Sequence, residues 1–293
     1  MNSKCPLCNQ VSVNIFHTQD YNRRISNELF QYNICEKCQI IHLINIPINL
    51  EKYYADDYYQ VPSREKLIKL AKKNQHKIDL VKLYAKGNEL LEIGPAVGVF
   101  ACLANMNGYI VDAIEIDPTC CQLLRNGICR KVINSGDPEN QLHQLGNYDV
   151  ITLWHVFEHI KSPFDLLEKL VNKLKPGGII LIATPNPNSI QLRFMKSYWP
   201  HLDAPRHLLL VPIKTLQKKL KILNTELIKA TYRGKDGFRW NIFSWQRLFI
   251  NSVANKYLKI IAYVLGLFFG FLVSPIELFK NNSATYIAIF RKI

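Results

Sequence analysis

The chain has 293 residues, with 37 lysine and arginine residues against 23 aspartate and glutamate residues, so its formal net charge is +14. Hydrophobic residues make up 48% and charged residues 20%, which excludes disordered, collagen-like and low-complexity chains. Eight cysteines are too sparse for a small disulfide scaffold. The positive charge suits nucleic acid, an anionic membrane face, a phosphorylated substrate or simply solvated lysines, because net charge reports on solubility and weak association.

The first residues contain no apolar run, so we expect no secretory signal. The expected location is therefore the cytoplasm, where cysteines are reduced or bound to metal. Four of them form two pairs near the N-terminus, Cys5 with Cys8 and Cys35 with Cys38, with 26 residues between the pairs. Four thiolates at this spacing suit tetrahedral Zn²⁺ and predict a closed, structural site. Redox-active or merely buried cysteines are the alternative.

A strand is predicted between the two cysteine pairs, and the remaining four cysteines are not expected to bind metal. Residues 30–35 alternate in the manner of a strand that returns toward the second pair. The other four cysteines lack metal-ligand spacing and are expected to pack in the core. They are Cys102, Cys120, Cys121 and Cys129.

A helix, and then alternating strands and helices, follow the cysteine pairs and a tyrosine-rich stretch. Residues 63–85 place apolar side chains three or four residues apart, which predicts a helix that stops at Gly87. The later alternation predicts a parallel sheet. The predicted strands are 89–93, 109–116, 131–134, 148–153, 179–184, 226–232 and 285–291. The predicted helices are 99–105, 117–126, 162–175 and 213–223.

Glycines and carboxylates lie where these predicted strands end. Gly94 and Gly98 let the backbone approach a ligand, and the following helix offers free N–H groups, although an ordinary turn is the alternative. Glu115 ends the second strand, where a carboxylate can accept hydrogen bonds from both ribose hydroxyls. Asp137 follows the third strand and could meet an adenine amino group. All lie at carboxyl ends of predicted parallel strands, where open α/β sheets bind ligands.

Four motifs in a fixed order carry a resemblance to a known family. They are EIGPAVG at 92–98, VDAIEIDP at 111–118, DVITLWHVFEH at 149–159 and LKPGGIILIATPN at 174–186. In this order they resemble class I S-adenosylmethionine-dependent methyltransferases, over about residues 88–232, with residues 285–291 as the final strand. The resemblance implies an α/β fold: a Rossmann-like seven-stranded sheet with helices on both faces. It also implies S-adenosylmethionine as the cofactor.

The resemblance also assigns cofactor contacts. Glu92, Gly94 and Gly98 would line the methionine side, Glu115 the ribose and Asp137 the adenine. Trp154, at the end of the fourth predicted strand, is placed with them at the ligand edge. Ala96 departs from the family, in which glycine is usual at this position.

The methyl acceptor is expected beyond the fourth and fifth predicted strands. An oxygen acceptor needs a proton removed, commonly by histidine or a carboxylate. His155 is the first candidate base, with a polar helix cap as the alternative explanation. The second is His207, in a long aromatic and charged loop that could form a lid. Alternatively, Trp199 and Leu208 anchor that loop to the core while His207 bonds to backbone.

An apolar segment precedes the last predicted strand. Residues 260–273 contain no charge, and as a helix they would cover about 21 Å, short of the roughly 30 Å hydrocarbon layer. Because Ser274 and Pro275 interrupt the run, a spanning helix is not expected. The alternatives are a buried core helix and peripheral membrane contact through residues 256–279, favoured by flanking lysines and aromatic side chains.

The predicted organisation has three parts. Residues 1–45 form a zinc-ribbon-like module, 46–87 a tyrosine-rich linker and helix, and 88–293 a methyltransferase domain with an insertion at about 251–280. This order resembles bacterial methyltransferases of cell-envelope sugar and lipid biosynthesis. The first hypothesis is therefore O-methylation of a small-molecule, sugar or lipid-linked acceptor, in the cytoplasm or peripherally at the inner membrane face.

Two further hypotheses stay open. An RNA methyltransferase could hold its substrate with the zinc ribbon and the positive charge. Few basic residues lie in the ribbon, which argues against nucleic acid as a partner. The third hypothesis is a non-catalytic cofactor-binding scaffold.

Overall fold

The structure is a computed structural model that describes residues 3–54, 58–279 and 281–293. It divides into two compact units. The ribbon unit contains Met1–Tyr53, Thr184–Leu216 and Ala230–Ile287, and the sheet unit contains Tyr54–Ala183, Gln217–Lys229 and Ala288–Ile293. The predicted tyrosine-rich linker includes residues 55–57 and the predicted insertion ends at residue 280, and these four positions lie outside the described residues.

The ribbon unit begins with a small antiparallel sheet. Its first strands are β1 (Ser3–Lys4), β2 (Val11–Thr18), β3 (Phe30–Cys35) and β4 (Ile41–Leu43). Each pairs antiparallel with the next. β3 occupies the segment predicted to return toward the second cysteine pair.

The helices and strands of the central part alternate as predicted. They begin with α1 (Arg64–Lys73), α2 (Gln75–Lys82), β5 (Glu89–Ile93), α3 (Val99–Met106), β6 (Ile110–Glu115), α4 (Pro118–Arg125) and β7 (Lys131–Asn134). They continue with β8 (Tyr148–Trp154), α5 (Pro163–Lys173), β9 (Leu174–Pro185), α6 (Ile190–Met195), β10 (Leu209–Leu210), α7 (Ile213–Ile222) and β11 (Thr225–Thr231). The short β10 joins the ribbon sheet beside β4.

Two boundaries differ from the sequence prediction. The helix expected over 63–85 is divided at Asn74, whose side-chain amide donates to the Leu70 carbonyl oxygen at 2.8 Å. Because asparagine competes with the backbone for hydrogen bonds, it ends the first helix and starts the second. β9 begins at Leu174 rather than at residue 179, and its register with β8 shifts between Tyr148 and Val150. Gly177, at φ +74°, allows that irregularity.

The sheet unit is built on a seven-stranded sheet, with a last strand β12 (Thr285–Lys292) that follows two further helices, α8 (Lys235–Asn251) and α9 (Leu258–Glu277). The strand order is β11-β12-β9-β8-β5-β6-β7. Four neighbouring pairs, β5 with β6, β5 with β8, β6 with β7 and β8 with β9, are parallel. The carboxyl ends of β5, β6 and β8 therefore share one edge. This confirms the predicted Rossmann-like α/β fold.

The helix formed by the apolar segment, α9, is longer than the sequence predicts. It contains 20 residues, about 30 Å at 1.5 Å per residue, because it continues through Ser274 and Pro275. Ser274 Oγ donates to the Gly270 carbonyl oxygen at 2.6 Å, and Pro275 lies on the exposed side. Among the described residues, α9 alone is long and apolar enough to cross a membrane by length and composition, and 28% of its most apolar 18-residue window is buried.

Candidate functional site

A strained turn joins β5 to α3 in the sheet unit. Gly94 has φ +63°, and a Cβ there would lie 2.6 Å from Val156 Cγ2. Gly98 caps α3 at φ +73°, and a Cβ there would lie 2.6 Å from Leu124 Cδ2. Only glycine meets both requirements without strain. The turn therefore keeps its backbone open at the sheet edge and presents the N-terminus of α3 to a ligand.

Ala96 adopts a left-handed conformation that usually requires glycine. Its φ is +53°, which explains why glycine is usual there in the resembling family. Its N–H donates to Glu115 Oε2 at 2.7 Å. This charge-assisted bond holds the turn against the end of β6.

Glu115 is buried at the end of β6, where only 2% of it is exposed. Its Oε1 accepts a hydrogen bond from the Asp117 N–H at 2.9 Å, in addition to the bond from Ala96. A carboxylate has about four acceptor sites, so Glu115 can still accept from hydroxyl donors. Burial raises the pKa of Glu115, against the lowering effect of these backbone donors. A vicinal diol would supply the missing donors.

Glu92 is a second buried carboxyl group, in β5. It is 2% exposed, and among the described residues its Oε2 has no hydrogen-bond partner. Burial raises its pKa to about 8, partly opposed by the positive charge of Lys77. A buried acceptor without a donor is costly, so this group fits a ligand with a cationic or N–H end.

Replacing Glu92 with glutamine is expected to remove a pH-dependent loss of stability. Because the folded pKa of about 8 exceeds the ordinary 4.5, the folded chain retains a proton that the unfolded chain loses between these values. The contribution of Glu92 to the free energy of unfolding is thus fully present below pH 4.5 and decreases as pH rises toward 8. In urea unfolding, the free energy of unfolding of Glu92→Gln relative to that of wild type should rise by at least about 1 kcal/mol from pH 5 to pH 8. The same difference in free energy of unfolding between variant and wild type at pH 5 and at pH 8 would contradict this prediction. So would a rise of the same size in the surface control Glu168→Gln.

Trp154 and His155 follow at the end of β8. The Trp154 ring lies 5.1 Å from Phe100, between centroids, and Lys77 Nζ lies 4.4 Å from its centroid. Among the described residues, the buried indole Nε1 has no acceptor. Trp154 therefore offers both an aromatic face and an N–H at this edge of the sheet.

His155 has a strained backbone and an acidic neighbour. Its φ is +56°, and its N–H donates to the Ala183 carbonyl oxygen at 2.9 Å. Its Nδ1 lies 3.6 Å from Oε1 of Glu158, which is fully buried. Left-handed residues other than glycine concentrate at functional sites. The carboxylate can orient the imidazole and stabilise its protonated form, as a general base requires.

Residues that sequence reasoning did not assign to the site also lie at this edge of the sheet. Burial, and then the negative charge of Glu115, raise the pKa of Tyr59 above its usual range, which indicates an electrostatic interaction between this tyrosine and Glu115. The Tyr54 hydroxyl lies 3.0 Å from His159 Nδ1. The tyrosine-rich composition of 53–59 was the available signal. Asp137, in contrast, is exposed at the start of the 3-10 helix Pro138–Asn140.

His207 belongs to the ribbon unit. Its Nδ1 lies 2.8 Å from the His201 carbonyl oxygen, and its own carbonyl accepts from the Tyr32 hydroxyl at 2.7 Å. Nearby, the buried Arg206 donates to Asp20 Oδ1 at 2.6 Å and to Asp203 Oδ1 at 2.8 Å. Trp199 and Leu208 are also buried. The arginine of the predicted lid is thus already paired within this unit.

The four N-terminal cysteines meet in the ribbon unit. Their Sγ atoms all lie within 4.8 Å of one another, and those of Cys8 and Cys35 are 3.6 Å apart. A tetrahedral zinc site with Zn–S bonds of about 2.3 Å needs sulfurs about 3.8 Å apart. The predicted cysteine cluster is therefore confirmed, and its geometry fits a metal.

The two cysteine turns have the same backbone geometry. In each, the first cysteine accepts from the N–H four residues later and donates to the carbonyl five residues later. The fourth residue after it, Asn9 or Gln39, has φ 57° or 58°. Hydrogen bonds with the Cys38 thiol and with backbone outweigh burial and lower the pKa of Cys8 to about 7. The matched turns aim four thiols at one point.

Comparisons with known proteins identify a family and a fold for this chain. A family described as a methyltransferase domain matches residues 63–230, more than half of the chain. A ubiquinone biosynthesis O-methyltransferase from Shewanella pealeana is 25% identical over 148 residues, which cover 48% of this chain and 60% of that protein. The same-named protein from Rickettsia bellii is 29% identical over 126 residues, covering 41% and 49%. The chain thus spans about half to three fifths of the length of these relatives.

A solved structure shows the same fold. It is a SAM-dependent methyltransferase from Archaeoglobus fulgidus, with a TM-score of 0.51 and 18% identity, covering 76% of this chain and 94% of that one. At this identity the likeness concerns the fold.

Proposed function

The chain belongs to a methyltransferase-domain family, and from this premise we propose that it methylates an oxygen of a small-molecule, sugar or lipid-linked acceptor. It is an S-adenosylmethionine-dependent methyltransferase. The observation that carries the oxygen assignment is the pairing of His155 with the buried Glu158 at the carboxyl end of β8. The names of the two O-methyltransferase relatives support it.

The residues of the turn and of β5 and β6 hold the cofactor in this proposal. Glu115 accepts from the ribose hydroxyls, since its carboxylate has acceptor capacity beyond its bonds to the backbone. Glu92 receives the ammonium end, which supplies the donor that its buried Oε2 lacks. When bound, the cofactor supplies an electrophilic methyl group on a sulfonium. Holding two reactants in line can contribute about 7–11 kcal/mol toward the barrier.

His155 takes the acceptor proton in this proposal. The imidazole would accept the hydroxyl proton as the acceptor oxygen gains the methyl group that a bound cofactor would supply, with S-adenosylhomocysteine as the leaving group. Glu158 stabilises the resulting imidazolium from 3.6 Å. General-base catalysis of this kind contributes roughly 10²–10⁴-fold.

Replacing His155 with alanine is expected to lower kcat by about 10²–10⁴-fold, with cofactor affinity unchanged. Tritium transfer from methyl-labelled S-adenosylmethionine to phenolic, catecholic and sugar acceptors measures this, with S-adenosylhomocysteine binding as the second readout. The matched control is His143→Ala, because His143 is exposed in the same unit. Undiminished turnover in His155→Ala, label in RNA rather than in these acceptors, or cofactor binding without any transfer would contradict the proposal.

We also propose that the four N-terminal cysteines hold a structural zinc ion. Four protein ligands leave no open position, so this metal would take no part in the chemistry. The proposed place of action is the cytoplasm, at the inner face of the membrane.

A further inference from the structure

The α8–α9 hairpin of the ribbon unit buries the small side of α9 and exposes its large side. The buried residues of α9 recur every three or four positions and are small or polar: Ala262, Gly266, Gly270, Ser274 and Glu277. A Cβ on Gly266 would lie 2.7 Å from Gln246 Cα, and one on Gly270 would lie 2.9 Å from Ile242 Cδ1. The small side of α9 is therefore closed against α8, and no large apolar side chain fits there.

The opposite side of α9, the outward face, is large and apolar. Six of its side chains are between 54% and 69% exposed: Ile260, Ile261, Val264, Phe268, Leu272 and Ile276. A contiguous apolar surface of this kind marks an interaction site, because water disfavours it. A groove of about 420 Å³ near the tip of the hairpin, between Phe249 and Leu265, shares Ile261 with the outward face.

The charged side chains of the hairpin indicate what kind of surface the outward face binds. Between residues 233 and 279 the chain has six basic side chains: Arg233, Lys235, Arg239, Arg247, Lys256 and Lys259. The two acidic ones are withdrawn from the surface to different degrees. Glu277 is 1% exposed and accepts from Gln191 and Trp245, both at 2.7 Å, while Asp236 is half-buried. The hairpin thus has more basic than acidic side chains, and this positive charge complements anionic lipid headgroups.

The packing of α9 against α8 favours one orientation of α9 in a bilayer. α9 has the length to cross, but Phe269 packs on Trp245 at 4.6 Å and on Phe249 at 5.8 Å, between ring centroids. A crossing would therefore carry Arg247, which lies between Trp245 and Phe249 on α8, into hydrocarbon, where a charged side chain is strongly disfavoured. A helix that is apolar on one side and packed on the other against a helix with charged side chains instead lies in the interface.

We propose that the α8–α9 hairpin docks this protein on an anionic lipid bilayer, with α9 parallel to the membrane plane and its outward face in the acyl region. The basic side chains at the ends of the hairpin then lie at headgroup level. This surface is distinct from the cofactor site and does not depend on the identity of the methyl acceptor.

Vesicle flotation of the full chain tests the proposal. We expect binding to phosphatidylcholine vesicles containing about 30% phosphatidylglycerol, weaker binding to phosphatidylcholine alone, and weakening by about 0.5 M NaCl. The variant Phe268→Gln/Leu272→Gln/Ile276→Gln should bind at least tenfold less. A control, Leu29→Gln/Leu83→Gln/Ile222→Gln, removes three exposed apolar side chains elsewhere and should bind as wild type does.

Charge reversal tests the electrostatic part separately. Lys256→Glu/Lys259→Glu should lose the preference for anionic vesicles, whereas Lys66→Glu/Lys69→Glu on α1 should keep it. Undiminished binding by the triple glutamine variant, or wild type that never floats, would overturn the proposal. So would a wild-type dimer in sedimentation that ignores vesicles and becomes monomeric in the triple variant, because the outward face would then bind a second copy.

Depth measurement tests the orientation. In a Phe268→Trp variant, the added tryptophan should shift its emission to the blue on binding and be quenched most by lipids brominated near the headgroup end of the acyl chain. Strongest quenching by lipids brominated near the chain end would show a crossing helix and would overturn the in-plane orientation.

Discussion

Replacing Glu115 with alanine is expected to weaken the binding of S-adenosylhomocysteine by at least about 100-fold. The carboxylate has acceptor capacity left for ribose hydroxyls beyond the bonds from Ala96 and Asp117. Two hydrogen bonds to a charged acceptor are worth about 1.5–3 kcal/mol each, and every 1.4 kcal/mol is tenfold in affinity. Isothermal titration calorimetry on the zinc-loaded protein measures this loss.

The Glu115 experiment needs variants that separate binding from folding, because the same carboxylate holds the turn through Ala96. Glu115→Gln keeps one acceptor oxygen without the charge and should lose less affinity than Glu115→Ala. Glu168→Ala is the matched control, since Glu168 is a largely exposed carboxylate of α5. Thermal unfolding of each variant shows whether the fold persists. A folded Glu115→Ala protein with wild-type affinity would contradict the assigned role.

Replacing Cys38 with serine is expected to release the metal and unfold the N-terminal strands of the ribbon unit. Zinc binding in small zinc domains contributes about 10–16 kcal/mol, comparable with the whole stability of an ordinary domain, about 5–15 kcal/mol. Zinc analysis should fall from about one ion per chain to nearly none. Limited proteolysis should then cut within residues 3–53, whereas the wild type should resist cleavage there.

A cysteine outside the cluster supplies the control for this experiment. Cys129 belongs to the sheet unit, and Cys129→Ser should keep both the zinc and the resistance to proteolysis. Wild-type protein that contains no zinc after expression in zinc-supplemented medium would count against the proposed metal. The same conclusion would follow if chelation left cleavage within residues 3–53 unchanged.

The sheet could be predicted because its signals are local. Apolar runs with β-branched residues give the buried strands β5 and β8, and Gly94 and Gly98 mark the turn between β5 and α3. The four cysteines could also be grouped by spacing alone, because each pair forms one turn. Their meeting point, with sulfurs within 4.8 Å, follows from the antiparallel pairing of β2 with β3.

The features that sequence reasoning did not anticipate depend on contacts between distant residues. The unsatisfied Oε2 of Glu92 and the electrostatic interaction of Tyr59 with Glu115 are properties of packing. The length of α9 was underestimated because proline normally ends a helix, whereas Pro275 sits on an exposed side of the last turn. The regular spacing of Gly266 and Gly270 was visible, but the closeness of α8 that requires glycine there was not.

A crystal structure of the full chain grown with S-adenosylhomocysteine tests the central claim most directly. The ribose hydroxyls should bond to Glu115, the ammonium group should approach Glu92, and the sulfur should face His155. Electron density for the nucleoside away from the Gly94 turn, or none at a saturating concentration, would contradict the account.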